Sequence, residues 1–252
     1  MSDLRGYVAV VTGGNSGIGL GMATGIAKAG GDVAVWGRRV DRNAQAVDDL
    51  RALGVRAEAF ACDVADPEQV NSAMAETVRR MGKVDAMFAN AGRGGRGTKF
   101  LDLTLEEWRA VMSVNLDGVM LTLQAAARHM AERGEGGSLV AVSSTSAIHG
   151  AANNEAYGSA KTALLGLVRA LSVGLARHQI RVNAISPGWT RSELADGGFL
   201  NDKFRTITTG RTPVRRWAVP AEFETVGAYL ADPRLTFHTG DNLVVDGGYT
   251  VF

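Results

Sequence analysis

Short apolar runs recur along this chain at near-regular intervals, each followed by a stretch of helical periodicity. That alternation constrains the fold more than any other feature. The runs are YVAVVTG (7–13), DVAVWG (32–37), RAEAFACDV (56–64), VDAMFANAG (84–92), GSLVAVSS (137–144), IRVNAIS (180–186) and NLVVDGG (242–248). Most are near-continuous in apolar character, as strands buried on both faces are. Candidate helices lie between them: from a glycine turn to about residue 29, 41–54, 67–82, 104–132, 154–178 and 220–232. Pro67 stands in a first turn, and Thr104 with Glu107 reads as a capping box. The repetition predicts an α/β chain: a doubly wound sheet of seven parallel strands with helices on both faces. No composition shift marks a boundary, so one domain over 1–252 is expected, with a mobile lid in the weakly periodic segment at about 190–216.

The charge balance narrows the partners. Twenty-seven basic against 26 acidic residues leave +1, which argues against a general polyanion binder such as a nucleic-acid protein. One cysteine, Cys62, rules out an internal disulfide, and the four histidines (129, 149, 178, 238) are too scattered to suggest a metal cluster. No uninterrupted apolar run approaches the ~18 residues of a membrane span, and the first residues lack the features of a signal peptide. The expectation is a cytoplasmic protein with no metal, no membrane and a small-molecule partner.

Several motifs point to chemistry. TGGNSGIG (12–19) follows a strand and opens a helix, the context in which backbone amides cradle a phosphate. The same turn also serves as an ordinary tight connection in a glycine-rich chain. Asp63, ending the third strand, suits an adenine amino group or a helix cap equally well. Asn90, Ala91 and Gly92 end the fourth strand, where small residues leave room for a ligand or simply make a turn. In YGSAK, Tyr157 and Lys161 are four apart and share a helical face. A lysine cation beside a phenol favours phenolate, so this tyrosine can exchange a proton with an alcohol near neutral pH. Ser144, thirteen residues earlier at a strand end, is placed to hold a substrate oxygen, and Asn115 is polar within an apolar helix.

Taken together, TGGNSGIG, CDV, NAG, VNL, VSS, YGSAK and RVNAISPGWTRS resemble the short-chain dehydrogenase/reductase family across essentially the whole chain. The resemblance implies a Rossmann-type fold and hydride transfer between NADP(H), or NAD(H), and a carbonyl or secondary alcohol. It makes Tyr157 the general acid/base, with Lys161 lowering its pKa and holding the nicotinamide ribose. Ser144 orients the substrate carbonyl, and Asn115 positions a water that relays protons to Lys161. The phosphate turn becomes Gly13, Asn15, Ser16, Gly17, Ile18 and Gly19. Asp63 and Val64 meet the adenine; Asn90, Ala91 and Gly92 lie along the adenosine side; Pro187 and Gly188 sit beside the nicotinamide. The chain departs from the family at PGWTRS, where Thr190 and Ser192 stand in place of isoleucine and threonine, and at Ala89, where an asparagine is common.

Cofactor choice is read from the end of the second strand. NAD-preferring relatives carry an aspartate where this chain has Gly37, and Arg38 and Arg39 follow, a guanidinium pair suited to a 2′-phosphate. A single charge-assisted contact implies a preference for NADP(H) of roughly ten- to a hundredfold. Gly37→Asp with a neutral residue at Arg38 is expected to reverse it. The arginines also suit a solvated loop. Ser146, Ile148, His149, Asn154, Trp189 and 193–216 are expected to form the substrate pocket. Apolar helix faces in 104–132 and 154–178, with the DGGYTVF end, predict a homotetramer.

Overall fold

The structure, a computed structural model, describes residues 2–252; Met1 of the expected domain lies outside the described residues. Its seven strands are β1 (Val8–Thr12), β2 (Asp32–Gly37), β3 (Ala57–Ala61), β4 (Ala86–Ala89), β5 (Gly137–Val142), β6 (Ile180–Pro187) and β7 (Asn242–Val245). They form one parallel sheet in the order β3-β2-β1-β4-β5-β6-β7. The order reverses between β1 and β4, and the crevice that opens there beyond the carboxyl ends is where such sheets bind ligands.

The helices are α1 (Gly17–Lys28), α2 (Val40–Arg51), α3 (Pro67–Met81), α4 (Leu105–Met112), α5 (Gly118–Arg133), α6 (Glu155–Leu175), α7 (Asp196–Phe199), α8 (Asp202–Arg211) and α9 (Glu224–Ala231). Alternate residues of each strand feed two cores, which explains why the strands read as continuous apolar runs. Val10, Ala34 and Met87 face α3, α5 and α6 through Met74, Leu123 and Leu164. Val11, Val35 and Phe88 face α1, α2 and α9 through Met22, Leu50 and Leu230.

Two elements differ from expectation. The helix predicted over 104–132 begins at its Thr104/Glu107 capping box but is interrupted by a π turn at Ser113–Asp117, which separates α4 from α5. In the weakly periodic segment 190–217, for which the sequence predicts no element, residues 193–199 and 202–211 are helical. Their periodicity is weak because they pack through aromatic rings instead of an apolar stripe: Trp189 stacks on Trp217 at 5.1 Å, and Phe199 and Phe204 pack edge-on around them. By length and composition, 105–133 and 155–178 could each cross a membrane; here both pack against the sheet.

Candidate active site

The phosphate turn leaves β1 with Gly13 and Gly17 at φ +63° and +53°, conformations that suit glycine. A Cβ on Gly19 would run into the Gly13 carbonyl and the Asn90 amide. Ser16 caps α1 without a side-chain hydrogen bond, and no acidic residue stands in the first turn. The amides around Gly17, Ile18 and Gly19 are therefore not taken by a capping side chain, and this cradle fits a dinucleotide pyrophosphate. Thr12 and Asn90 tie the turn to β4: the Thr12 hydroxyl accepts from the Asn90 and Ala91 amides (3.0 and 2.9 Å), and Asn90 Nδ2 donates to the Thr12 carbonyl (2.9 Å).

Asn15 does something the sequence did not reveal. Its buried Nδ2 donates to Asn43 Oδ1 at 2.6 Å, and Asn43 Nδ2 donates to the Gly37 carbonyl at 2.8 Å. The end of β2 and the start of α2 thus brace the phosphate turn. A Cβ on Gly37 would stand 2.6 Å from both Asn15 Nδ2 and Asn43 Oδ1. Gly37 is therefore more than a missing carboxylate: any side chain at this position has to displace the Asn15–Asn43 pair.

Neither expected phosphate-binding arginine is unpaired. Arg38 lies 3.6 Å from Asp63, while Arg39, together with Arg42 from the next turn of chain, meets Glu193 at 2.7 and 3.1 Å. Asp63 also accepts from the Ala65 amide, while Asp66 caps α3, so the capping role weighed for Asp63 falls to Asp66. Val64 is buried against Gly118.

At the other end of the crevice, β5 and α6 are stitched together. Ser143 Oγ donates to the Lys161 carbonyl (2.8 Å), and Lys161 Nζ donates to the Val142 carbonyl (2.7 Å). Ser144 Oγ accepts from the Ser146 amide (3.1 Å), and the Ser144 side chain stands near enough to Tyr157 to lower its pKa. Lys161 Nζ lies 5.5 Å from the centre of the Tyr157 ring. Burial pushes the Lys161 ammonium down to about 8. Burial also raises the Tyr157 phenol above its ordinary value, and the Ser144 side chain offsets only part of this. Desolvation of the phenolate is the larger cause, and the Lys161 ammonium donates to the Val142 carbonyl and not to the phenol.

Asn115 sits fully buried in the π turn, a helix irregularity common at functional sites. Its Nδ2 donates to the Val111 and Arg93 carbonyls (2.9 and 2.8 Å), and its Oδ1 accepts from the Arg93 amide (3.3 Å). A Cβ on Gly92 would lie 2.9 Å from Asn115 Oδ1 and 3.8 Å from Lys161 Nζ, so these groups converge there.

A cleft of ≈ 300 Å³ opens beside Tyr157. Of the expected pocket residues only Asn154 lines it; its other walls are the 93–98 loop, one side of α4 and the first turn of α6. The sequence signal was GRGGRG, two arginines among glycines directly after NAG. His149 and Trp189 instead pack against Tyr249 near the carboxyl terminus. Pro187 ends β6, and Gly188 follows it. The Thr190 hydroxyl is buried and donates to the Gly188 carbonyl (3.0 Å), so it braces this turn, whereas the Ser192 Cβ lies 3.2 Å from where a Cβ on Gly17 would be.

A family model described as enoyl-(acyl carrier protein) reductase matches residues 13–250. The chain is 36% identical to an L-rhamnose 1-dehydrogenase (NAD(P)(+)) of a Sphingomonas species, covering 100% of this chain and 99% of the relative. A short-chain type dehydrogenase/reductase from Mycobacterium marinum superposes with a TM-score of 0.93 at 36% identity, covering 98% and 97% of the two chains. A gluconate 5-dehydrogenase from Burkholderia cenocepacia, solved with NADP and tartrate, superposes with a TM-score of 0.94 at 32% identity over 99% and 97%.

Proposed function

The chain belongs to the short-chain dehydrogenase/reductase family of oxidoreductases, and on that premise we propose that it reduces a carbonyl, or oxidises the matching secondary alcohol, with NADP(H) and with Tyr157 as general acid/base. The observation that carries this reading is the meeting of Ser144, Tyr157 and Lys161 at one crevice, with the tyrosine facing the cleft. NADP(H), when bound, supplies or takes the hydride. Gly13 to Gly19 hold its pyrophosphate, and Arg38 and Arg39 hold its 2′-phosphate.

In reduction, Ser144 Oγ donates to the substrate carbonyl oxygen and fixes it beside Tyr157. The Tyr157 hydroxyl would give its proton to that oxygen, completing the alcohol. Lys161 stabilises the phenolate left behind, and reprotonation passes by way of Lys161 and the Asn115 region to solvent. A phenol held neutral by burial suits the acid role, since it carries its proton until the oxygen develops charge. The hydroxylated substrates named for the rhamnose and gluconate relatives favour a polyhydroxy carbonyl compound.

Arg38 and Arg39 favour NADP(H), and no carboxylate ends β2 to repel a 2′-phosphate. A cytoplasmic homotetramer completes the reading. The β3 edge is charged, with Glu58 pairing Arg51 and Arg80, while the β7 edge and its surroundings expose Val244, Phe237 and Phe252. Val173 of α6 is 80% exposed, as a residue awaiting a partner helix would be. Screening sugars and ketones by nicotinamide absorbance with each cofactor tests the reaction; no turnover with any carbonyl would overturn it. Light scattering at micromolar concentration tests the assembly, and a monomer would refute it.

A further inference from the structure

Glu193 lies far in sequence from β2, yet its two carboxylate oxygens take separate guanidinium partners at the start of α2: Oε2 with Arg39 at 2.7 Å and Oε1 with Arg42 at 3.1 Å. The neighbouring Ser192 lies against the phosphate turn, its Cβ 3.2 Å from where a Cβ on Gly17 would stand. Residues 192–193 therefore form a strap across the nucleotide crevice, fastened to the arginines that flank the β2 end. The third guanidinium of that cluster, Arg38, leans toward Asp63 at 3.6 Å. A planar carboxylate bridging two guanidiniums uses the donors that a phosphate dianion would use.

We propose that Glu193 is a specificity-determining residue for the cofactor: its carboxylate holds Arg39 and Arg42, and a 2′-phosphate has to displace it. This rests on the reading of the arginine cluster as the 2′-phosphate site. Two consequences follow. A nucleotide without a 2′-phosphate leaves the strap fastened, so Glu193 narrows the advantage that the arginines give NADP(H) over NAD(H). A nucleotide with one unfastens residue 193 from α2, so the phosphate at the far end of the cofactor sets how freely the segment leading into α7 moves. Arg39, Arg42 and Glu193 are each about half exposed, so the carboxylate is displaced from water-accessible pairs rather than from a sealed site. Exposed pairs of this kind are each worth up to about a fivefold change in an equilibrium.

The test uses adenosine 2′,5′-bisphosphate and 5′-AMP, titrated calorimetrically into the full chain at low salt, as wild type, Glu193→Gln and Arg39→Gln/Arg42→Gln. Glu193→Gln is expected to tighten the bisphosphate about three- to tenfold and to leave 5′-AMP within twofold. Arg39→Gln/Arg42→Gln is expected to weaken the bisphosphate alone. If the arginine variant weakens the bisphosphate but Glu193→Gln does not tighten it, the arginine site stands and the strap proposal fails. If wild type binds the bisphosphate no better than 5′-AMP and the arginine variant changes nothing, the site reading fails and takes the proposal with it. Equal tightening of both nucleotides by Glu193→Gln would also overturn it, since the carboxylate would then be acting on something other than the 2′-phosphate. Hydrogen exchange in residues 191–200 gives an independent readout: it should rise with the bisphosphate and not with 5′-AMP, and equal exchange with the two refutes the displacement.

Discussion

Gly37→Ala adds one methyl group at the β2 end, and its consequences can be worked out atom by atom. The new carbon would stand 2.6 Å from Asn15 Nδ2 and 2.6 Å from Asn43 Oδ1. Both atoms are side-chain ends, so they can swing away, and steric overlap alone is not the main cost. The cost is what they leave behind: the 2.6 Å Asn15–Asn43 hydrogen bond and the 2.8 Å bond from Asn43 to the Gly37 carbonyl. Each is worth about 1 kcal/mol net, and more if a buried amide stays unpaired. A loss of about 2 kcal/mol is expected, which lowers the melting temperature by about 4–8 °C for a domain of this size. Because Asn15 braces the phosphate turn, NADH and NADPH should both bind more weakly, by similar factors. Thermal denaturation followed by circular dichroism and cofactor fluorescence titrations read both effects. Asn43→Ala in the same background makes room for the methyl group and should recover little stability, since the network is already broken. If Gly37→Ala melts within 1 °C of wild type, or if it alters the ratio of the two affinities more than their common level, the bracing argument is wrong.

Tyr157→Phe should lower kcat by about 10²- to 10⁴-fold while cofactor affinity stays within a few-fold; a variant with near-normal kcat would move the proton transfer elsewhere. Lys161 has a pKa pushed down to about 8 by burial, against 10.5 in ordinary surroundings. Between those values the unfolded chain holds the proton that the folded chain has lost, so stability should rise with pH from about 8 to 10. Urea denaturation across that range should show the rise in wild type and not in Lys161→Met, and parallel curves would refute it. The raised Tyr157 pKa acts above pH 10, in the opposite direction, and leaves this window clear. Asn115→Ala removes hydrogen bonds to Arg93 and Val111 at a cost of about 2 kcal/mol and should raise hydrogen exchange in residues 92–98; unchanged exchange there would show that Asn115 does not hold this loop.

Much of this was legible in the sequence because buried parallel strands have a chemistry of their own. VAVVT, VAVW and VAV mark strands by being apolar on both faces, and the glycines after β1 mark the turn. Tyr157, Lys161 and Ser144 come near one another because one helix and one strand end carry them. What escaped the sequence lies between distant residues. Asn15 and Asn43 are 28 apart and meet only because β2 lies beside β1. Glu193 reaches Arg39 and Arg42 across the crevice. The π turn escaped because SVNLD has ordinary helical chemistry. The electrostatics of Tyr157 escaped because spacing shows that a lysine is near but not which atom its ammonium binds.

The π turn at Ser113–Asp117 gives the long helix two phases. A π turn holds one more residue than an α turn, which rotates everything beyond it by about 100° relative to an unbroken helix. Before the insertion, Val111 and Glu107 point to the cleft; after it, Val119, Leu123 and Met130 point to the sheet. A straight α-helix of this composition would have to give up one set of partners. The wider turn lets one continuous rod serve both, with no loop to act as a joint between them. Any shift of the sheet-side half along its axis must therefore carry the cleft wall with it, so the packing beneath the sheet and the width of the cleft are geared together.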